Sequence, residues 1–344
     1  MDANASVTDT LMPSRQLGIA ERLIIRLVQL SHHLVVRYKH TKTTALRPSY
    51  CKVYPSCPWL EHRVFLPPSD INNAGNTEKR HPLMIDIHGG GFILGAPSVD
   101  DPYCRSMADN CSMIVISIDY RKAPDFQFPT AHDDCLASAL AILNDPDLLI
   151  DRNNLFIGGQ SAGGNLALSI SRNEQLRGKF KGLVIWYPVV DWTTSMKTRA
   201  EFCGKTHVSF SMQRAWEYCK ALYIPAGVDL ASPVLSPIHA TSESFPRASF
   251  FICGSDDLLG YDTLMMADKL AGSESKVHNS TRLVESWRAG DVVWAQVHGH
   301  KHAFNEMPLR NKKEEVRRQD TLRDLFGRIL LWLEEQIAAP AQHV

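Results

Sequence analysis

The chain has 344 residues, with 37 basic and 37 acidic side chains, and 44% of its residues are hydrophobic. This composition excludes a collagen, a coiled coil or a disordered chain, and the zero net charge argues against nucleic acid or an anionic membrane surface as the main partner. No run approaches the roughly 18 apolar residues of a membrane span, and the first residues lack a signal-peptide pattern. The sequence therefore predicts a cytoplasmic protein without stable membrane anchoring.

The eight cysteines contain no Cys-x-x-Cys pair. They indicate neither a zinc ribbon nor a thioredoxin-type site, and their density is too low for a disulfide scaffold. We expect most of them to be reduced and buried.

Apolar residues recur at three- and four-residue spacing between residues 17 and 37. The pattern predicts an amphipathic helix with Glu21, Arg22 and Arg26 on or near its wet side. Two placements fit: a helix laid over the protein body, or a helix lying in a membrane interface. We favour the first, because the apolar stripe lacks the Trp or Phe anchors of interfacial helices.

Short apolar runs alternate with helical stretches through the rest of the chain. Strands are predicted at 52–54, 60–66, 83–87, 113–118, 155–157, 183–187, 249–253 and 292–297, and helices at 131–143, directly after Ser161 and at 322–337. Short buried strands that alternate with helices are typical of a mostly parallel sheet covered on both faces. The predicted fold class is α/β.

Residues 191–240 interrupt this rhythm and contain few strand signals. We interpret them as an inserted helical cap, residues 1–45 as an N-terminal cap region, and residues 46–190 with 241–344 as the catalytic domain. The inserted segment is rich in aromatic residues, which we expect to serve packing more than ligand contact. They are Trp192, Phe202, Phe210, Trp216, Tyr218 and Tyr223.

A Gly-x-Ser-x-Gly motif, Gly159 to Gly163, stands between a predicted strand and a predicted helix. A serine on such a tight turn needs glycines two residues to either side, and the helix N-terminus points backbone N–H groups at a developing oxyanion. Ser161 is the candidate nucleophile. The pentapeptide alone is a weak signal, so a plain glycine turn stays open until partner residues are found.

The first such partner is His88-Gly89-Gly90-Gly91-Phe92, which follows another apolar strand. Consecutive glycines let backbone N–H groups approach a substrate oxygen closely, as an oxyanion hole requires. We assign the donors to Gly90, Gly91 and Ala162. A register shifted toward Gly89 and a simple glycine hinge are the alternatives.

With these motifs the sequence resembles the hormone-sensitive-lipase-like branch of the α/β-hydrolases, the group of microbial esterases and arylacetamide deacetylase. The resemblance covers roughly residues 60–335. Further matching strings are Asp119 to Pro124, Phe128-Pro129, Asp133-Asp134, Tyr187 to Asp191 and Ser232 to Pro237. It implies an α/β-hydrolase fold, a mostly parallel twisted sheet flanked by helices, with a helical cap.

The resemblance also implies a catalytic triad in the chain order serine, acid, histidine. The family's Gly-x-Asp-Pro-Leu string places the acid at Asp256, and Asp257 replaces the proline and is the rival position. The segment ending in His302-Ala303-Phe304 resembles the family's His-Gly-Phe and makes His302 the base. Asp256 would then fix the tautomer of His302, which takes the proton of Ser161.

Three features depart from the family pattern or compete with it. His298, His300 and His302 alternate, which also fits a metal cluster, but no carboxylate motif stands at ligand spacing, so no metal is predicted. Gln160 replaces the family's usual aspartate before the nucleophile and should alter hydrogen bonding without changing the roles. Residues 272–290 are lengthened and polar, and we interpret them as a surface loop or partner contact.

The predicted function is a serine carboxylesterase that acts on an uncharged small-molecule ester, with a short-to-medium acyl chain or small alcohol, through an acyl-enzyme. No cofactor is required, and family members often pair, so a homodimer is compatible with the resemblance. One alternative keeps the fold for a dehydratase, acyltransferase or lactone-forming enzyme acting on a natural product. The other is a non-catalytic binder of the gibberellin-receptor type, which the presence of all three triad residues disfavours.

Overall fold

The structure is a computed structural model in which residues 18, 23–31, 34, 46–72, 79–272 and 284–340 are described. Within these ranges one nine-stranded sheet crosses the molecule, in the order β1-β2-β4-β3-β5-β6-β7-β9-β8. The strands are β1 (Tyr50–Lys52), β2 (His62–Phe65), β3 (His81–Ile87), β4 (Ile114–Ile118), β5 (Ile150–Gln160), β6 (Gly182–Trp186), β7 (Ala248–Gly254), β8 (Trp287–Ala289) and β9 (Val292–Val297).

The six central strands, β4-β3-β5-β6-β7-β9, are parallel to their neighbours. Only the margins of this sheet, β1-β2-β4 and β8-β9, are antiparallel. Because these six strands run in the same direction, their carboxyl ends lie along the same edge of the sheet. The predicted α/β class with a mostly parallel sheet is confirmed, and this edge is where the candidate residues meet.

The helices of the described ranges cover the sheet. They are a segment at 23–31, α1 (Pro68–Asn72), α2 (Asp101–Cys111), α3 (Thr130–Leu143), α4 (Ala162–Ser171), α5 (Met196–Phe202), α6 (Phe210–Tyr223), α7 (Gly260–Ala271) and α8 (Lys312–Ala338). Helix α8 begins ten residues before the predicted 322–337, because its first turns are charged and carry no apolar period. The Asn311 side chain caps it by accepting from the Lys313 and Glu314 N–H groups.

The core lies between the sheet and these helices, and large aromatic side chains fill it. Trp332 of α8 contacts Phe156 and Phe250 edge-on, with ring centroids 6.4 and 5.8 Å apart. Trp186 and Trp294 are fully buried. All eight cysteines are free, and Cys57, Cys104, Cys135 and Cys253 are buried.

Residues 191–240 contain helices α5 and α6 and no strand. A fully buried ion pair fixes this segment to the body: Arg199 Nε on α5 lies 2.6 Å from Asp262 Oδ1 on α7. The guanidinium also lies 4.4 Å from the ring centre of Trp216 on α6. A charge pair removed from water on both sides is stable only when its geometry is good, so this contact holds the segment in one position.

The N-terminal segment lies on the body differently from the prediction in its apolar side. Residues 23–31 are helical, and Arg26 is exposed, as predicted, and pairs with Asp125 (3.1 Å). Most of the apolar residues of the segment are exposed. Glu21 and Arg22 fall outside the described residues. In the part of the chain that the structure covers, no helix is both long and apolar enough to cross a membrane.

The lengthened region at 272–290 is more than the predicted loop. Its residues 273–283 lie outside the described ranges, but Trp287–Ala289 forms β8 and pairs antiparallel with β9. Three residues are too few to show an alternating pattern, so this strand cannot be predicted from the sequence.

Candidate active site

Ser161 occupies a strained turn between β5 and α4. Its backbone has φ 51° and ψ −113°, a conformation that non-glycine residues rarely adopt. The Ser161 N–H donates to the Trp186 carbonyl (2.9 Å). A Cβ at Gly163 would lie 1.8 Å from the Ile87 carbonyl oxygen, and one at Gly159 would lie 2.5 Å from the same atom. The two glycines therefore allow the turn to press against β3 and present the hydroxyl at the sheet edge.

His302 lies on the loop after β9 and faces this hydroxyl. Its Nε2 is 2.9 Å from Ser161 Oγ, which is hydrogen-bonding distance. The Tyr187 ring meets the imidazole edge-on, with centroids 4.6 Å apart. The structure thus brings together the predicted nucleophile and the predicted base.

The acid that meets His302 is Asp257 and not Asp256. Asp257 Oδ2 lies 2.7 Å from His302 Nδ1, and its other oxygen accepts from the Leu259 N–H (2.9 Å). Asp257 is buried, whereas Asp256 is exposed.

The reason for the one-residue difference is the turn that follows β7. The Asp256 N–H donates to the His300 carbonyl (2.9 Å), and the turn then closes as Asp257 N–H bonds back to Gly254 (3.2 Å). Adjacent residues of such a turn point in different directions, and here it is the second aspartate that faces the histidine. The motif alignment placed the acid at the position that the family uses, which this turn directs to solvent.

Opposing effects act on His302. Burial, the largest, lowers its pKa, but the carboxylates of Asp257 and Glu306 outweigh it, and the pKa of His302 is raised above its ordinary value. A more basic imidazole accepts a hydroxyl proton more readily, provided that the solution pH keeps it neutral beforehand.

The three predicted glycines form a loop directly beside Ser161. A Cβ at Gly89 would lie 3.6 Å from Ser161 Cβ, and Gly90 and Gly91 have φ values of 118° and 63°. Among the described residues, none accepts a hydrogen bond from the Gly90 or Gly91 N–H. Ala162 begins helix α4, so its N–H belongs to the unpaired first turn. Assignment of these three N–H groups as oxyanion donors stays a prediction.

A buried histidine supports this loop, a role that the sequence reasoning did not assign. His88 stacks on Tyr120 (centroids 4.4 Å apart, planes 10° apart) and its Nε2 lies 3.2 Å from Asp119. Asp119 also forms an ion pair with Lys122. In the sequence, the Asp119 to Pro124 string is only one of the strings that match the family. Its position against β3 cannot be derived from sequence spacing.

Tyr187 and Glu306 lie beside His302, and neither of them is assigned to the site from the sequence. The Tyr187 hydroxyl contacts Asn305 and lies 3.3 Å from Glu306 Oε1. Tyr187 has φ 34°, and its N–H donates to the Ile252 carbonyl (2.7 Å). Glu306 stands four residues after His302, and burial raises the pKa of its carboxyl. A carboxylate beyond the triad has no motif, so only the folded loop reveals it.

Gln160 is the last residue of β5, directly before Ser161, and is fully buried. With its amide nitrogen turned toward acceptors, it donates to the Ile87 carbonyl (3.1 Å) and to Asp100 (3.2 Å). Burial raises the pKa of the neighbouring Asp86 to about 7. Because Gln160 is a neutral amide, it does not add a third carboxylate beside the buried Asp86 and Asp100.

Aromatic side chains from the segment 191–240 contact the glycine loop. Phe92 stacks on Tyr223 of α6 (3.9 Å between centroids), and Trp192 stacks on Trp216 (4.7 Å). The Cys219 sulfur stands 3.1 Å from the place where a Cβ of Gly91 would be. Trp192, Phe202 and Tyr223 are buried, as expected for packing, whereas Phe210 and Tyr218 are exposed.

The alternating histidines do not converge. His300 Nδ1 lies 2.8 Å from the His298 carbonyl, and His300 packs edge-on against Phe304. In the described ranges, no three His, Cys, Asp or Glu side chains are grouped so that they could hold a metal ion.

Comparison with known proteins identifies the family. The sequence profile of the alpha/beta hydrolase fold matches residues 84–285, more than half of the chain. An arylesterase of Saccharolobus solfataricus is 28% identical over 272 residues, 78% of this chain and 80% of its own. The gibberellin receptor GID1C of Arabidopsis thaliana is 29% identical over 210 residues, 57% of this chain and 60% of its own.

Among solved structures, the thermophilic carboxylesterase EstE1 from a metagenomic library has the same fold. Its TM-score is 0.68 at 21% identity, covering 94% of this chain and all of that one. The strained serine turn, the sheet order and the profile match agree with one another, and the resemblance seen in the sequence is confirmed at the level of the family. The chain belongs to the alpha/beta hydrolase fold family.

Proposed function

We propose that the protein is a serine carboxylesterase with Ser161 as nucleophile, His302 as base and Asp257 as the acid that orients it. The observation that carries the proposal is the continuous chain of short contacts from Asp257 through His302 to Ser161, at 2.7 and 2.9 Å. Esterases among the similar proteins support the same chemistry.

The chemistry follows the geometry. Ser161 Oγ attacks the ester carbonyl while His302 takes its proton, and the negative oxygen of the tetrahedral intermediate is stabilised by the N–H groups of Gly90, Gly91 and Ala162. The alcohol leaves with the proton from His302, which produces an acyl-enzyme. Water, deprotonated by His302, then attacks the acyl-enzyme and restores Ser161, and the carboxylic acid departs.

The substrate side of the proposal rests on the cap. The side chains over the glycine loop, Phe92, Trp192 and Tyr223, are aromatic and closely stacked, so they favour an uncharged ester with a short or medium acyl chain. The cytoplasm is the proposed compartment, which the eight free cysteines support because thiols stay reduced there.

Hydrolysis of p-nitrophenyl esters from acetate to palmitate, with wild type beside Ser161→Ala, tests the proposal. We expect turnover of the short and medium esters, and a loss of at least about a thousand-fold in the variant. Activity that keeps rising beyond acyl chains of about ten carbons would overturn the proposed pocket size. Equal activity of both proteins would overturn the role of Ser161.

Two other outcomes would favour the alternatives. A reactive Ser161 without ester turnover would indicate a dedicated biosynthetic reaction on the same fold. If the Ser161→Ala protein retained the biological role, the protein would be a non-catalytic binder. One of the similar proteins is named a gibberellin receptor.

A further inference from the structure

The N-terminal helical segment presents its apolar side to solvent. Leu27 is 65% exposed and Ile24 60% exposed, and the other outward residues are similar. The full set is Leu23, Ile24, Leu27, Val28, Leu30 and Leu34. At the α-helical repeat these six cover an arc of about 160°. Such a wide, uncovered apolar stripe is unusual on a surface that faces only water.

The opposite side of the segment binds the protein, mainly through polar groups. The Gln29 amide donates to the carbonyls of Ile93 (3.0 Å) and Ala123 (2.9 Å), and Arg26 pairs with Asp125. Ile25 packs against the core. The helix is therefore held with its polar side inward, the reverse of an amphipathic helix that covers a hydrophobic core.

Two exposed aromatic side chains, Phe126 and Trp59, pack on Arg121, and Phe126 is the chain neighbour of the residue that Arg26 contacts. Phe126 follows Asp125, the partner of Arg26, and is itself exposed. The Arg121 guanidinium lies 4.7 Å from the Phe126 ring centre and 4.6 Å from that of the exposed Trp59. Exposed aromatic rings beside a cation are typical anchors at a membrane interface, where an apolar body meets polar headgroups.

The charge of the segment identifies what could cover it. Residues 15–42 contain six basic side chains and one acidic, although the whole chain is neutral. The basic residues are Arg15, Arg22, Arg26, Arg37, Lys39 and Lys42, and the acidic one is Glu21. The sequence around the described helix is therefore strongly basic, and anionic phospholipid headgroups would complement that charge.

We propose that the exposed face of residues 23–31 and 34, with Phe126 and Trp59, is a docking surface for an anionic membrane. Binding is reversible and interfacial, because the apolar face lies on the bilayer while the polar side stays on the protein. The inward side of the same helix contacts the glycine loop: the Gln29 amide donates to the Ile93 carbonyl, and the Ile93 N–H donates to the Gly90 carbonyl (3.1 Å). A docked membrane would therefore be separated from the loop beside Ser161 by this one helix.

Co-sedimentation of the purified full-length protein with large unilamellar vesicles tests the proposal. We use phosphatidylcholine vesicles with and without phosphatidylserine, at low and high salt. Wild type should bind the phosphatidylserine vesicles more strongly, and salt should weaken that binding. The Leu23→Glu/Leu27→Glu protein should bind at least about ten-fold less, because both side chains would enter the lipid interface.

Controls separate this surface from general hydrophobicity and from catalysis. Leu331→Glu changes an equally exposed leucine (62%) on α8 and should bind vesicles like wild type. Ser161→Ala should also bind like wild type, so a failure of the proposed catalysis leaves this test intact. The far-ultraviolet circular dichroism spectrum and thermal unfolding of the Leu23→Glu/Leu27→Glu protein, compared with wild type, show that it is folded.

Three results would overturn the proposal. The first is wild type that sediments with neither vesicle. The second is a Leu23→Glu/Leu27→Glu protein that binds as wild type does. The third is a dimer, seen by light scattering of wild type, that this double variant converts to monomer, since a second copy of the chain would then cover the surface.

Discussion

Asp256 and Asp257 are chain neighbours with different surroundings. One carboxylate is exposed, and the other is buried at 2.7 Å from the imidazole of His302. Only a carboxylate in contact with Nδ1 can hold the tautomer in which Nε2 accepts the serine proton. The identity of the acid is therefore decided by a single turn.

We expect Asp257→Asn to lower kcat for p-nitrophenyl butyrate by about ten-thousand-fold, because the amide would favour the wrong tautomer of His302. Asp256→Asn is the matched control and should stay within about two-fold of wild type, as exposed substitutions away from the site usually do. If the losses were reversed, the acid would be Asp256 and the geometry of this turn would be wrong.

The pH profile should reflect the charges around His302. The base must be neutral to act, so kcat/KM should fall as the pH drops through its pKa, which lies above the ordinary 6.5. Glu306→Gln removes one of the two negative charges that raise this pKa. The acid limb of kcat/KM should therefore move to lower pH, while the plateau at higher pH changes little.

If the acid limb of the kcat/KM profile did not move in Glu306→Gln, Glu306 would have no electrostatic effect on His302. Glu314→Gln at the start of α8 is the control, because that side chain is exposed and has no contact with the site. It should leave the profile unchanged.

At the scale of elements, close approach between β3 and the turn before α4 positions the nucleophile. A Cβ at Gly163 would meet the backbone of Ile87, which cannot move without disturbing the central strand. Gly327, in the middle of α8, has open space around it instead. A side chain is therefore excluded at Gly163 and tolerated at Gly327.

Gly163→Ala should destabilise the fold by about 3 kcal/mol or more, because overpacking here meets backbone atoms. Gly327→Ala should raise the free energy of unfolding by about 0.5–1 kcal/mol through helix propensity. Urea denaturation followed by circular dichroism measures both. Equal effects of the two substitutions would contradict the packing described at the turn.

The cap is attached through the buried Arg199–Asp262 pair. Arg199→Met leaves an unpaired carboxylate in the interior and should cost about 3–5 kcal/mol of stability. Adding Asp262→Asn removes that charge while keeping the acceptor for the Val190 N–H (2.9 Å), so the double variant should recover part of the loss. Thermal unfolding of both proteins is the measurement, and a double variant less stable than the single one would be inconsistent with this explanation.

At the scale of the whole molecule, the sequence predicts most of the architecture. Buried parallel strands are continuous apolar runs, so the sequence predicts β3, β4, β6, β7 and β9 to within two residues. Its motifs also single out Ser161 and His302, which the structure brings together. The features that the sequence does not predict concern the direction in which side chains point. Periodicity shows that residues 23–34 have an apolar side, but whether that side faces core or solvent depends on tertiary contacts such as that of Gln29 with Ile93.

For the whole molecule, we propose that one serine, Ser161, activated by His302 and Asp257, carries the activity. Labelling with a fluorophosphonate followed by peptide mass spectrometry tests it most directly, because the reagent reacts with an activated serine and mimics the tetrahedral intermediate. We predict one phosphonate per chain, on the peptide that contains Ser161, with ester hydrolysis lost in proportion to labelling. An unlabelled protein, or one that stays active when Ser161 is fully modified, would contradict the account.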